Sequence, residues 1–105
     1  MLEIKLSDII ELQWLYVQIF DEEDAFPVDR RIVRKFKARQ DKILNSITKE
    51  YELQYYILDV IEHGSWNRED ITFKPICDKL REKGFDIIKW EEKNTLYIKV
   101  ISLLT

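Results

Sequence analysis

The chain contains very few of the residues from which most reactive sites are built. Its 105 residues include two glycines, two prolines, one histidine and one cysteine. A single cysteine excludes an internal disulfide and a cluster of thiolate metal ligands. Two glycines leave little room for a glycine-rich phosphate loop, and no EF-hand loop, zinc spacing or nucleophile elbow occurs. We therefore expect no catalytic residues, no metal and no cofactor, and a protein that is not an enzyme.

Long hydrophobic runs are also missing. No stretch approaches the roughly 18 to 20 uncharged apolar residues of a membrane span. The first seven residues contain Glu3 and Lys5 and no small-residue cleavage site, unlike a signal peptide. Hydrophobic residues make up 46% of the chain, charged residues 35%, and the net charge is −3. These values predict one compact domain over residues 1–105, in the cytoplasm and away from membranes.

Apolar spacing in the first half predicts a short strand and two helices. Apolar and polar residues alternate over residues 2–6, as in a strand with one buried face. Ser7 is the expected N-cap of a helix over 8–20, and Asp29 the expected N-cap of a helix over 30–63. Gly64 suits the C-terminal cap of the second helix. Residues 45–48 contain few strong helix formers, so a break there stays open.

The second half predicts β-structure around a short helix. Residues 71–73 suit a brief strand, and residues 74–83 suit a helix that buries Cys77. Residues 85–90 and 95–102 suit a hairpin with a loop of about four residues. The predicted fold class is α+β: two long helices pack on a small antiparallel β-sheet with a C-terminal β-hairpin.

The first helix is apolar around most of its circumference. A surface helix of a small domain normally has an apolar face of about 100° or somewhat more, so part of this helix needs cover from elsewhere. Two interpretations stay open, because its aromatic residues can belong either to the core or to an interface. We expect a protein partner, with a homodimer ahead of a foreign protein, and the acidic residues can steer a charged partner. The expected partner-binding set is Trp14, Tyr16, Phe20, Asp21, Glu22, Glu23 and Asp24.

A basic segment follows the acidic one. Residues 30–42 contain seven lysines and arginines and one acid, Asp41. Such a helix face either is simply solvated or tracks phosphates with salt-dependent affinity. The alternative function is therefore nucleic-acid binding through four basic residues: Arg31, Arg34, Lys35 and Arg39. The negative net charge and the lack of an aromatic stacking platform beside them argue against it, since Phe36 is expected to point inward.

Two further interpretations are weaker. Cys77 and His63 could in principle form a nucleophilic pair, but Cys77 lies between apolar positions, as a buried inert cysteine does. His63 suits a helix end, where its charge complements the dipole. A winged-helix arrangement over the second half lacks a third helix and would place Glu91 and Glu92 against phosphates.

One local motif joins the short helix to the hairpin: Leu80, Gly84, Phe85 and Ile87. With its flanking elements, residues 55–101 follow an α-β-α-β-β order that resembles small accessory proteins of tailed phages. The resemblance implies a protein that binds and inhibits host machinery, including host immunity, without chemistry of its own. It implies no site residues. The expected function is a non-enzymatic protein–protein interaction module.

Overall fold

A computed structural model describes residues 1–63 and 72–103, the last two without their side chains. The prediction for Gly64 lies outside these residues, as does Ile71 of the strand predicted over 71–73. The rest of that prediction was wrong, because Thr72 is not in a strand and Phe73 is the N-cap of α4. The elements in chain order are β1 (Leu2–Lys5), α1 (Leu6–Asp24), α2 (Arg30–Ile47), α3 (Tyr51–His63), α4 (Lys74–Glu82), β2 (Phe85–Glu92) and β3 (Thr95–Leu103). The α+β class with a C-terminal hairpin is confirmed.

Helix α1 is longer than the sequence predicted at both ends. The predictions of Ser7 as N-cap and of Leu6 as a strand residue were wrong, because the helix begins at Leu6 and its N-cap is Lys5. Asp8 explains the early start: its Oδ2 accepts from the backbone N–H of Lys5 at 3.4 Å, and its charge complements the helix dipole. At the other end the acidic residues form the last turn, and extended backbone at Ala25 ends the helix.

The segment over 30–63 forms two helices, with a break that follows the weak helix formers. Asp29 caps α2 as predicted, because its Oδ1 accepts from the N–H of Arg31 at 3.0 Å. Thr48 is extended, and its hydroxyl accepts from the N–H of Glu50 at 3.1 Å. Gln54 of α3 bridges the break, because its Nε2 donates a hydrogen bond to the carbonyl of Thr48 at 2.7 Å.

The three strands form an antiparallel sheet in the order β1-β3-β2. Lys93 and Asn94 connect β2 to β3 with φ of 49° and 61°. Two positive φ angles are the requirement of a two-residue type I′ hairpin turn. The predicted loop of four residues was therefore wrong, since Glu91 and Glu92 belong to β2. The tight turn places Trp90 directly opposite Tyr97.

The core lies between one face of the sheet and the helices. Leu2 and Ile4 of β1 pair with Ile98 and Leu96 of β3, and all four side chains are buried. Helix α1 contributes Leu12 at the centre of this cluster. The other fully buried large side chains come from α1, α3 and α4: Ile9, Leu15, Ile57, Ile61, Ile76, Cys77 and Leu80. Within the described ranges, no helix is both long and apolar enough to cross a membrane.

Truncating a side chain on the core side of α1 should lower the free energy of unfolding much more than truncating one on the exposed side. Leu12→Ala removes a fully buried side chain and should lower the free energy of unfolding by about 2–5 kcal/mol. Val17→Ala removes an exposed side chain from the same helix and should change it by less than about 0.5 kcal/mol. Urea denaturation followed by circular dichroism measures both. Equal losses in the two variants would contradict the orientation of α1.

Candidate functional site

One side of α1 faces the core, and the opposite side carries a continuous line of exposed residues. The core side consists of Ile9, Leu12, Leu15 and Ile19. The exposed line, here called the outer seam, has alternating spacings of three and four: Ser7, Ile10, Trp14, Val17, Asp21 and Asp24. Its centre is apolar and its C-terminal end is acidic. Exposed apolar side chains arranged contiguously are a recognised mark of interaction surfaces.

The predicted aromatic set divides between core and surface. Tyr16 is partly buried and packs against the core. Trp14 remains 47% exposed while its ring packs edge to face on Phe36 of α2, with centroids 5.6 Å apart. Phe20 is 60% exposed. The core interpretation therefore fits Tyr16, and the surface interpretation fits Trp14 and Phe20.

The end of the α1–α2 hairpin exposes further apolar side chains that the sequence analysis did not include. Phe26 is 100% exposed, and Val28 and Ile32 are exposed as well. Together with Phe20 they form what is here called the hairpin end. Ile32 is exposed because the neighbouring Val33 is the residue of this turn of α2 that faces inward. A signal was available at Phe26, since it stands between a helix end and Pro27 with no helical neighbours to pack on.

The charges at the hairpin end oppose the helix dipoles. Four carboxylates, Asp21 to Asp24, occupy the negative C-terminal end of α1, and two arginines, Arg30 and Arg31, occupy the positive N-terminal end of α2. Each such placement costs on the order of 0.3 to 1 kcal/mol at low ionic strength. Lys37 pairs with Glu23 at 2.8 Å, and in the described ranges the other three carboxylates have no ion-pair partner. The arrangement is therefore not one that stabilises the helices.

Helix α2 has a basic outer face, and three of the four basic residues predicted to bind nucleic acid are free on it, within the part of the chain that the structure describes. Arg31, Arg34, Lys35 and Lys42 recur at helical spacing and are all exposed. They form no ion pairs with the residues that the structure describes. Arg39 differs, because its guanidinium binds Glu11 of α1 through Nε at 2.6 Å and Nη2 at 2.8 Å. Arg39 therefore joins the two helices, and the other three predicted basic residues remain available.

The Cys77–His63 pair lacks the features of an activated nucleophile. Cys77 is fully buried, and burial raises the pKa of its thiol. A catalytic cysteine needs the opposite shift. His63 is exposed, and its Nδ1 lies 3.0 Å from Asp59. Asp59 in turn accepts from Lys79 of α4 at 2.6 Å, and this hydrogen bond lowers the pKa of Asp59. The cluster joins α3 to α4.

The face of the sheet opposite the core carries an aromatic pair that the sequence analysis missed. Trp90 and Tyr97 stack with centroids 5.4 Å apart and ring planes within 14°. Strand alternation pointed to this face, but a two-residue turn was needed to set the two rings opposite each other. In the described ranges, no group of three or more histidine, cysteine or acidic side chains is placed to hold a metal ion.

In comparisons with protein families, with curated proteins and with solved structures, no family model, no curated sequence and no solved structure matches the chain. The assignment of a site therefore depends on the geometry of this chain. Among its surfaces, the outer seam and the hairpin end combine exposed apolar side chains with uncompensated charge.

The Glu11–Arg39 pair predicts a pH-dependent stability. The hydrogen bond from Arg39 holds the pKa of Glu11 below its ordinary value of 4.5. A carboxyl whose pKa is lowered by folding stabilises the fold above its unfolded pKa and loses that contribution as pH falls through the folded pKa. Arg39→Ala should therefore lower the urea midpoint at pH 7, and the difference from the unmodified chain should shrink below about pH 4.5. Arg34→Ala, which breaks no pair, is the control; an equal effect in both variants would contradict the assignment.

Proposed function

We propose that this protein is a non-enzymatic protein–protein interaction module whose partner binds the hairpin end. The observation that carries the proposal is the exposure of Phe20 and Phe26 next to a cluster of carboxylates of which only Glu23 has an ion-pair partner among the described residues. Aromatic side chains dominate the energetics of protein interfaces, since each buries a large area at low entropic cost. A fully exposed phenylalanine gains this energy only through a partner.

The same surface indicates the chemistry of the partner. Phe20, Phe26, Val28 and Ile32 require an apolar pocket or groove. Asp21, Glu22 and Asp24 form no ion pair with the described residues, so they favour lysines and arginines around that pocket. Complementary charge raises the association rate and the specificity more than the affinity. The proposed partner is a protein with an apolar depression and a basic rim.

The resemblance to phage accessory proteins suggests what such binding achieves. A small chain that covers an apolar pocket on a host protein blocks that pocket for its usual ligand. We therefore propose inhibition of a host protein in the cytoplasm as the biological role. The free, buried thiol of Cys77 fits a reducing compartment.

Binding at the hairpin end can be tested without disturbing the core. The full chain is immobilised and proteins of the source cell are captured and identified by mass spectrometry. Phe26→Asp should abolish capture of the specific partner while far-UV circular dichroism and the urea midpoint stay unchanged, because Phe26 makes no buried contact. Lys42→Asp, on the outer face of α2, is the matched control and should retain the partner.

Two results would overturn the proposal. One is a partner that the Phe26→Asp variant retains in full. The other is a captured protein lost equally from the Phe26→Asp and Lys42→Asp variants, because that pattern indicates non-specific charge binding. Purified partner, titrated against both variants, separates these results from differences in expression.

Nucleic-acid binding is the second candidate, supported by the unpaired basic face of α2. Arg31, Arg34, Lys35 and Lys42 present four positive charges to solvent on one side of a helix. Arg39 is no longer part of this set, since it binds Glu11. Four phosphate contacts would give an affinity that falls with salt, with a log–log slope of about −3 to −4.

A filter-binding assay with duplex and single-stranded DNA decides this candidate. If the basic face binds phosphates, affinity falls steeply with salt and Arg34→Glu weakens binding on every sequence alike. Arg39→Ala should leave binding nearly unchanged. Binding that Arg34→Glu does not weaken, or that does not depend on salt, would exclude the basic face as a nucleic-acid site.

A further inference from the structure

We infer that two copies of this chain pack their α1 helices against each other, antiparallel, along the outer seam. The inference deepens the proposed function by naming one partner of α1, and it rests on that function only in treating α1 as an interaction element. The apolar parts of the two surfaces are distinct, because Ile10, Trp14 and Val17 lie along the helix, whereas Phe26 and Val28 lie beyond its end. Asp21 and Asp24 belong to both surfaces.

The spacing of the outer seam is that of a helix–helix contact. Steps of three and four residues average 3.5, the repeat with which two helices keep a common seam. The seam runs from Ser7 to Asp24 on a helix of 19 residues, which is about 28 Å long. Every residue of the seam is exposed, although Trp14 also packs on Phe36 of α2, and the opposite side of α1 packs against the core. The chain therefore presents a preformed helix face that its own fold covers only in part: Ile10, Trp14 and Val17 are 42%, 47% and 38% exposed.

The order of residues along the seam selects the antiparallel arrangement. In a parallel pair, Asp21 and Asp24 of one copy would lie beside the same carboxylates of the other, and like charges repel. In an antiparallel pair centred between Trp14 and Val17, Trp14 of each copy lies beside Val17 of the other. Ile10 then lies beside Asp21, and Ser7 beside Asp24.

The N-terminal end of α1 has the charge that this arrangement needs. Lys5 and Lys93 line one shallow depression with Ile10 and Ser7. The backbone N–H of Leu6 donates to the carbonyl of Asn94 at 2.8 Å, which holds the β2–β3 turn against the first turn of α1. Asp8 is the one acid in that first turn, and Glu91 and Glu92 line the adjoining depression with Lys93 and Asn94, so acids offset part of this positive charge.

Dimerisation replaces an unfavourable interaction between carboxylates and a helix dipole with a favourable one. In a single copy, Asp21 and Asp24 lie at the negative end of their own helix dipole. In the antiparallel pair they lie at the positive end of the partner's helix, beside two lysines, and anions are stabilised there. Both ends of the dimer gain the same contacts, because a two-fold interface is self-complementary.

The contact is short, so association should be weak and concentration-dependent. A single helix pair of this length lies at the low end of specific interface sizes. Light scattering or sedimentation equilibrium on the full chain should show a mass that rises towards twice 12.8 kDa at high micromolar concentration. Val17→Lys places an unpaired charge at the centre of the seam and should weaken dimerisation at least about tenfold.

The matched control is Ala38→Lys, an exposed small apolar residue changed to lysine on the outer face of α2. It should dimerise like the unmodified chain. Both variants should keep the urea midpoint of the unmodified chain, since both sites are exposed. Equal dimerisation of the Val17→Lys variant and the unmodified chain would overturn the inference, as would a mass that stays at 12.8 kDa at every concentration.

Charge reversal tests the ends of the contact. One variant carries Asp21→Lys and Asp24→Lys, and the other carries Lys5→Glu and Lys93→Glu. Each alone should be monomeric, because each places like charges at both ends. An equimolar mixture should form heterodimers, in which both ends are again complementary. A mixture that stays monomeric, or variants that each dimerise alone, would contradict the charge assignment.

Disulfide trapping tests the orientation. An antiparallel pair brings residue 7 of one copy beside residue 24 of the other. A mixture of the Ser7→Cys and Asp24→Cys variants should therefore cross-link under mild oxidation, and each variant alone should not. Cys77 is buried and does not interfere. Cross-linking of Ser7→Cys with itself indicates a parallel pair and would overturn the inference.

The mass of the unmodified chain and of the Val17→Lys variant reports on dimerisation independently of partner binding at the hairpin end, because Val17 is not part of that end. If the protein binds a foreign partner in a Phe26-dependent manner but stays monomeric, the inference fails and the proposed function stands. If it forms the antiparallel dimer but the Phe26→Asp variant retains every captured protein, the proposed function fails and the inference stands.

Discussion

The packing of α1 on the sheet and on its neighbouring helices fixes the rest of the molecule. Ile9, Leu12 and Leu15 lose essentially all contact with water in this packing. Their burial decides which side of a helix that is apolar all round turns outward. A backbone hydrogen bond from Leu6 to Asn94 also holds the first turn of α1 against the β2–β3 turn. The outer seam and the neighbouring lysines therefore have one fixed relation to each other.

The fold class could be predicted from the sequence because its apolar residues follow the strand period of two and the helix period of 3.6 with few exceptions. Alternation in β3 and helical spacing in α2 and α4 each point to one arrangement. The boundaries were harder, for local reasons. Ser7 is a good N-cap residue, but the side chain of Asp8 accepts from the backbone N–H of Lys5, and the helix therefore begins two residues earlier than predicted. Glu91 and Glu92 have the composition of a loop, and Lys93 gives no hint of its positive φ.

The site could be predicted only in part. The sequence of a helix with no wide polar stripe does not indicate which of its sides faces the core. The sequence analysis predicted an interaction role for α1, and it could not tell Tyr16, which packs inward, from Trp14, which remains half exposed. Arg39 illustrates the same limit: its pairing with Glu11, 28 residues away, depends on how α1 and α2 lie together. Charge composition alone grouped it with the free arginines of α2.

The two ends of the α1–α2 hairpin differ in how much of the fold depends on them. Near the sheet, most side chains are shared between several elements, so a change there disturbs the whole core. The residues of α1 after Tyr16 and those of α2 before Phe36 contribute no side chain to the main core cluster. Substitutions at the hairpin end are therefore nearly neutral for folding. Sequence changes at this end can therefore accumulate while the core that supports the two helices stays the same.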